Sequence, residues 1–132
     1  MSTFVDTSAF LAVLDADDAQ HRRASRVWSD LVNGGEYLLT TSYVLVETFA
    51  LVQARLGLGA TRLLNDDIAP ILRVTWVDEG LHRVAVTALL TAQRRNLSLV
   101  DCVSFEVMRR LGADRAFAFD THFRQQGFAL IP

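Results

Sequence analysis

Lysine is absent from this 132-residue chain, and all thirteen of its basic residues are arginine. Any enzyme class whose chemistry depends on a lysine is thereby excluded. Cysteine is almost absent too: Cys102 stands alone, which rules out an internal disulfide and any multi-cysteine zinc site. Its apolar neighbours mark it as a small core residue. No run approaches the roughly 18 unbroken apolar residues that suggest a membrane span. The N-terminus, Met1 to Ser8, lacks a basic leader and is broken early by Asp6, unlike a signal peptide. A soluble, cytoplasmic protein is expected. Positive charge is not in excess either. A net charge of -2 and a pI near 5.8 argue against holding nucleic acid through a broad basic surface. The arginine pairs Arg22-Arg23, Arg94-Arg95 and Arg109-Arg110 read as solvated helix faces, although a guanidinium fork also suits phosphate.

What is present is apolar residue, 51% of the chain: enough for one core and too little chain for two domains. A single domain over 1-132 is expected. Thr3 to Val5 reads as a strand ending at Asp6, after which Ala9, Phe10, Val13 and Leu14 recur at helical spacing. Residues 21 to 33 form a second helix, with Val27, Trp28 and Leu31 on one face and Gly34-Gly35 as its stop. Tyr37 to Thr40 is a strand. Ser42 then serves as N-cap to a helix reaching about Arg55 and ended by Gly57. A short helix is expected over 60 to 68, halting near Pro70. Leu72 to Val77 is a strand, followed by a helix through Arg94 and another over 99 to 111, ended by Gly112. Ala116 to Phe119 forms a fourth strand stopped at Asp120, and Phe128 to Ile131 is a candidate fifth at the sheet edge. Alternation of this kind predicts an α/β fold: a parallel sheet of four to five strands with helices on both faces.

In such sheets ligands bind beyond the carboxyl ends of the strands, where Asp6 and Asp120 fall. Each acid also has a purely structural reading. Asp6 can cap its helix, Asp101 completes a capping box with Ser98, and Asp120 can organise a turn. Glu47 is the most informative residue, because the helix from Ser42 to Arg55 is apolar almost all round and therefore reads as buried. An ionised carboxylate there needs a cation, either an arginine or a metal.

If the four acids Asp6, Glu47, Asp101 and Asp120 converge, their repulsion also calls for a cation. An all-oxygen donor set points to Mg2+, or Mn2+, rather than zinc, and suits phosphodiester hydrolysis. His21, His82 and His122 have no partner at the i and i+4 spacing of histidine metal sites, and all three read as non-catalytic.

The motifs Phe4-Val5-Asp6-Thr7-Ser8, Thr41-Ser42 through Glu47-Thr48, Ser98 to Phe105, and Phe119-Asp120-Thr121-His122-Phe123 with Gly127-Phe128 together resemble the PIN-domain ribonucleases. Within that group the chain is similar, over essentially its whole length, to the VapC toxins. The resemblance implies a four-acid magnesium site and cleavage of single-stranded or loop RNA. It also implies a homodimer and a small cognate antitoxin whose tail covers the site. By position, Asp6, Glu47, Asp101 and Asp120 match the family's acids, with Asp6, Asp101 and Asp120 as metal ligands, and Ser8 matches a hydroxyl supporting the first. One departure is Ala118, where the family often has threonine; Thr121 is expected to supply the missing hydroxyl.

Receiver domains and haloacid-dehalogenase-type phosphatases share the α/β class and strand-end acids but require lysine. An inactive binding scaffold of the same fold would have lost acids, and all four are present. A PIN nuclease of RNA processing, acting without an antitoxin, stays open on the sequence.

Overall fold

Strands that alternate with helices bury their apolar faces by stacking the helices on a parallel sheet. The computed structural model, which describes residues 1–132, has this form. Its elements are β1 (Ser2–Val5), α1 (Thr7–Leu14), α2 (His21–Asn33), β2 (Tyr37–Thr41), α3 (Ser42–Leu56) and α4 (Leu58–Leu63), then β3 (Leu72–Thr75), α5 (Glu79–Ala92), α6 (Leu99–Leu111), β4 (Arg115–Phe117), α7 (His122–Gln125) and β5 (Ala129–Ile131). The strands form one sheet in the order β3-β2-β1-β4-β5, and every pairing is parallel.

That order sets the position of the site. From β1 the chain steps outward through β2 to β3, then crosses back to lay β4 on the other side of β1. The reversal puts the topological switch point between the carboxyl ends of β1 and β4, the place where open α/β sheets bind ligands. Fully buried side chains from both strands, Phe4, Val5 and Phe117, pack with Phe10 and Val103 to form the floor beneath it.

Helix limits follow local chemistry closely. The helices α2 and α6 begin and end where the sequence predicts. Gly112 takes φ +69° just past α6, a conformation glycine adopts without steric cost.

Elsewhere tertiary contacts move the boundaries. The N-cap of α3 is Thr41, whose Oγ1 accepts from the Val44 N–H at 3.1 Å. Ser42, the expected cap, instead accepts from the Val77 N–H at 2.9 Å, tying α3 to the segment after β3. The helix expected over 60 to 68 starts earlier, at Leu58, and widens into a π turn over Leu64–Ile68 before a tight turn at Ala69–Ile71. Pro70 lacks an N–H and crowds the carbonyl four residues back, so a regular α turn cannot continue through it. The third strand ends at Thr75 rather than Val77, leaving Trp76 73% exposed. The fourth ends at Phe117 rather than Phe119, for a reason that belongs to the site.

Candidate active site

Asp6 follows β1 directly and caps α1. Its Oδ2 accepts from the Ser8 N–H at 3.2 Å and from the Ser8 hydroxyl at 2.7 Å. The same hydroxyl oxygen accepts from the Phe119 N–H at 3.0 Å, while the Asp6 N–H bonds Phe117 O at 3.1 Å. Ser8 thus draws the chain after β4 out of the sheet ladder and toward Asp6. This explains the early end of β4, and it brings Asp120 to the switch point.

Asp101 arrives from the other direction, at the third position of α6. The capping box is real: Ser98 Oγ accepts from the Asp101 N–H at 3.0 Å, and Asp101 Oδ2 accepts from the Ser98 N–H at 3.2 Å. Asp120 Oδ1 accepts from the His122 N–H at 2.9 Å, forming a turn that opens α7. Each acid therefore holds the structural role considered for it, yet Asp101 and Asp120 bring carboxylate oxygens within 4.8 Å of each other, and Asp6 lies near enough for their charges to act on it. A capping bond uses one lone pair of a carboxylate and leaves the others free.

Convergence shows in the energetics. The carboxyl of Asp6 is pushed up to about 6, first because burial strips its water and also because Asp101 and Asp120 add negative charge nearby, against the lowering bonds from Ser8. No arginine relieves the cluster. The arginine ion pairs lie elsewhere, at Arg83–Glu79, Arg110–Glu106 and Arg115–Glu36. Carboxylates gathered here without an arginine partner fit a divalent metal held by oxygen donors. Beside the cluster, the Cys102 thiol is raised by burial and by Asp101, as suits a core residue.

Glu47 differs from expectation. The helix α3 is not buried all round: Val46 is 67% exposed, and Glu47 is partly exposed, with neither a hydrogen bond nor an ion pair. It needs no cation to survive there. Its neighbour Thr48 reaches the Thr7 hydroxyl at 3.3 Å, which places Glu47 one residue from a contact with the start of α1. Thr121, expected to replace the hydroxyl missing at Ala118, is exposed and its side chain makes no hydrogen bond. Ser8 is the hydroxyl that touches this strand end.

His122, set aside on sequence grounds, lies in the cluster. Its Nδ1 is 3.1 Å from Asp120 Oδ1 and 3.3 Å from Asp101 Oδ2, and the three residues offer donor atoms within 4.8 Å of one another. The i and i+4 rule missed it because the partners come from a turn two residues back and from another helix. Phe123, fully buried, anchors the ring's position by packing on Phe105 and Phe4, at centroid separations of 5.1 and 6.1 Å.

The PIN-domain family matches residues 3–129. The chain belongs to the PIN-domain family. PIN domains are metal-dependent nucleases. Among individual proteins, the 23S rRNA-specific endonuclease VapC20 of Mycobacterium tuberculosis is 36% identical over 129 residues, 97% of this chain and 96% of the relative, in two strains. The crystal structure of Mycobacterium tuberculosis VapC20, described as a sarcin-ricin loop cleaving toxin, superposes with a TM-score of 0.84 at 34% identity, over 96% of each chain. FitAcB from Neisseria gonorrhoeae shares the PIN fold alone, with a TM-score of 0.71 at 16% identity over 100% of this chain and 97% of that one.

Proposed function

We propose that this protein is a metal-dependent endoribonuclease and the toxin of a toxin–antitoxin pair. The observation that carries the reading is the approach of Asp101 and Asp120 to within 4.8 Å, close enough to Asp6 at the carboxyl end of β1 to act on its charge, with no arginine among them. In this reading they hold the metal, with Mg2+ the cellular ion and Mn2+ a competent substitute. When bound, the metal supplies polarisation of the scissile phosphate, acidification of the attacking water and stabilisation of the leaving oxygen.

The chain's own residues supply position. Ser8 orients Asp6 and holds the Asp120 segment in place, the capping box fixes Asp101, and the His122 N–H fixes Asp120. Glu47, free of any partner, is the carboxylate left to accept a proton from the attacking water. The metal also offsets the negative field that would otherwise repel an anionic substrate.

The substrate is RNA, and likeness to a 23S rRNA-specific endonuclease makes a structured ribosomal loop the first to try. Such selection works through shape and unpaired bases. A cognate antitoxin protein is the expected partner, in the cytoplasm; no helix is long and apolar enough to cross a membrane. Exposed apolar residues, among them Val46, Leu58, Trp76 and Leu90, support a homodimer that covers part of them.

The test is incubation of purified protein with a panel of RNAs, including a sarcin-ricin stem-loop, under magnesium, manganese, calcium or chelator. Cleavage is expected with magnesium and manganese, poorly with calcium, and not with chelator. Cleavage undiminished by chelator would overturn the proposal.

A further inference from the structure

His122 is the one side-chain nitrogen among the oxygens of the site. Its Nδ1 faces two carboxylate oxygens, Asp120 Oδ1 at 3.1 Å and Asp101 Oδ2 at 3.3 Å. A ring nitrogen carries at most one proton, so it cannot satisfy both carboxylates with well-directed hydrogen bonds. Whichever carboxylate takes that proton, the other faces the ring nitrogen without one.

The ring is also held in place. The side chain is 12% exposed, the backbone N–H of His122 donates to Asp120, and the next residue, Phe123, is locked in the core. Ligands at right angles around a small octahedral ion lie about 3.0 Å apart for magnesium and slightly further apart for manganese. The two nitrogen–oxygen separations already match that spacing.

We propose that His122 Nδ1 is a metal ligand in this protein, alongside Asp101 and Asp120, and that it biases the site toward manganese over magnesium. Both ions take oxygen donors, but magnesium demands a tighter octahedral shell and sheds its water more reluctantly, so the larger, softer manganese ion accepts a nitrogen ligand more readily. The inference rests on the metal-dependent reading above and adds a residue and a preference to it. Manganese binds more tightly than magnesium at most sites, so the diagnostic quantity is the change in the manganese-to-magnesium affinity ratio when His122 is removed.

Metal affinities should be measured by calorimetry on the purified protein, with no RNA present, for wild type, His122→Ala and, as a neighbouring control, Arg124→Ala. In parallel, pulsed electron paramagnetic resonance of the manganese-loaded protein reads nitrogen coupling to the ion directly. His122→Ala should lower manganese affinity by about tenfold or more, lower magnesium affinity by clearly less, and abolish the nitrogen coupling seen in wild type. The control should match wild type. If His122→Ala destabilises the fold, the wild-type spectrum still decides.

Absence of nitrogen coupling in wild type, or equal loss of both metals in His122→Ala, would overturn the inference and leave the nuclease reading intact. Failure of wild type to bind either metal would overturn both.

Discussion

Replacing Asp6 by asparagine separates the cost of the site from its use. Burial and the charges of Asp101 and Asp120 raise this carboxyl from 3.8 to about 6. Between those values the native state keeps a proton that the unfolded chain has released, so the Asp6 contribution to metal-free stability is most favourable below pH 4 and falls as pH rises toward 6. Above pH 6 the penalty is complete. A shift of about two units corresponds to about 3 kcal/mol.

The neutral amide introduced by Asp6→Asn would carry no such penalty, and its oxygen still accepts from the Ser8 N–H as an N-cap. For a chain of this length about 3 kcal/mol corresponds to about 10 °C in Tm, an upper figure because the new amide must find a partner. In chelator at pH 7.5, Asp6→Asn is therefore expected to melt several degrees above wild type, with the gap closing by pH 4. Excess magnesium should reverse the order by stabilising the wild type alone, while RNA cleavage by the variant is lost. Calorimetric melts across pH, with and without magnesium, provide the measurement. A variant that melts at or below wild type in chelator at pH 7.5 would refute the claim that Asp6 is buried without a compensating cation.

Asp101→Asn should keep its capping box, since the amide oxygen still accepts from the Ser98 N–H, and melt near wild type. Its cleavage should nonetheless fall at least about a hundredfold, more than loss of a group that merely supports a ligand; near-normal cleavage would remove Asp101 from the site. Far from the site, Arg115 donates to Glu36 Oε1 at 2.7 Å and Thr3 Oγ1 at 3.0 Å. Arg115→Ala should cost about 2 kcal/mol in urea unfolding at pH 7. Burial alone would raise the Glu36 carboxyl, but its bonds to Arg115 and Thr3 hold it below the ordinary value. The stability they contribute is thus present above that value and lost as pH falls through the lowered one, and the variant's deficit should shrink on acidification. Sedimentation at micromolar concentration should show a dimer, and a monomer alone would count against pairing through the exposed apolar faces.

Local chemistry decided what the sequence could determine alone. The helices at His21–Asn33 and Leu99–Leu111 stand where their apolar spacing and following glycines place them, because a helix closes its hydrogen bonds within its own segment. Strand-helix alternation likewise determined the parallel α/β class, and the strand-end positions of Asp6 and Asp120 pointed to the edge that carries the site. Tertiary structure decided the rest. A strand's end depends on its partner, and β4 stops at Phe117 because Ser8, more than a hundred residues earlier, takes the Phe119 N–H. Burial of Glu47 could not be read from an apolar helix, since apolar residues such as Val46 also lie at the surface. His122 joined the acids through a turn and a helix distant in sequence, a meeting that no spacing rule encodes because only the packing of Phe123 and the reversal of strand order at β1 bring those atoms together.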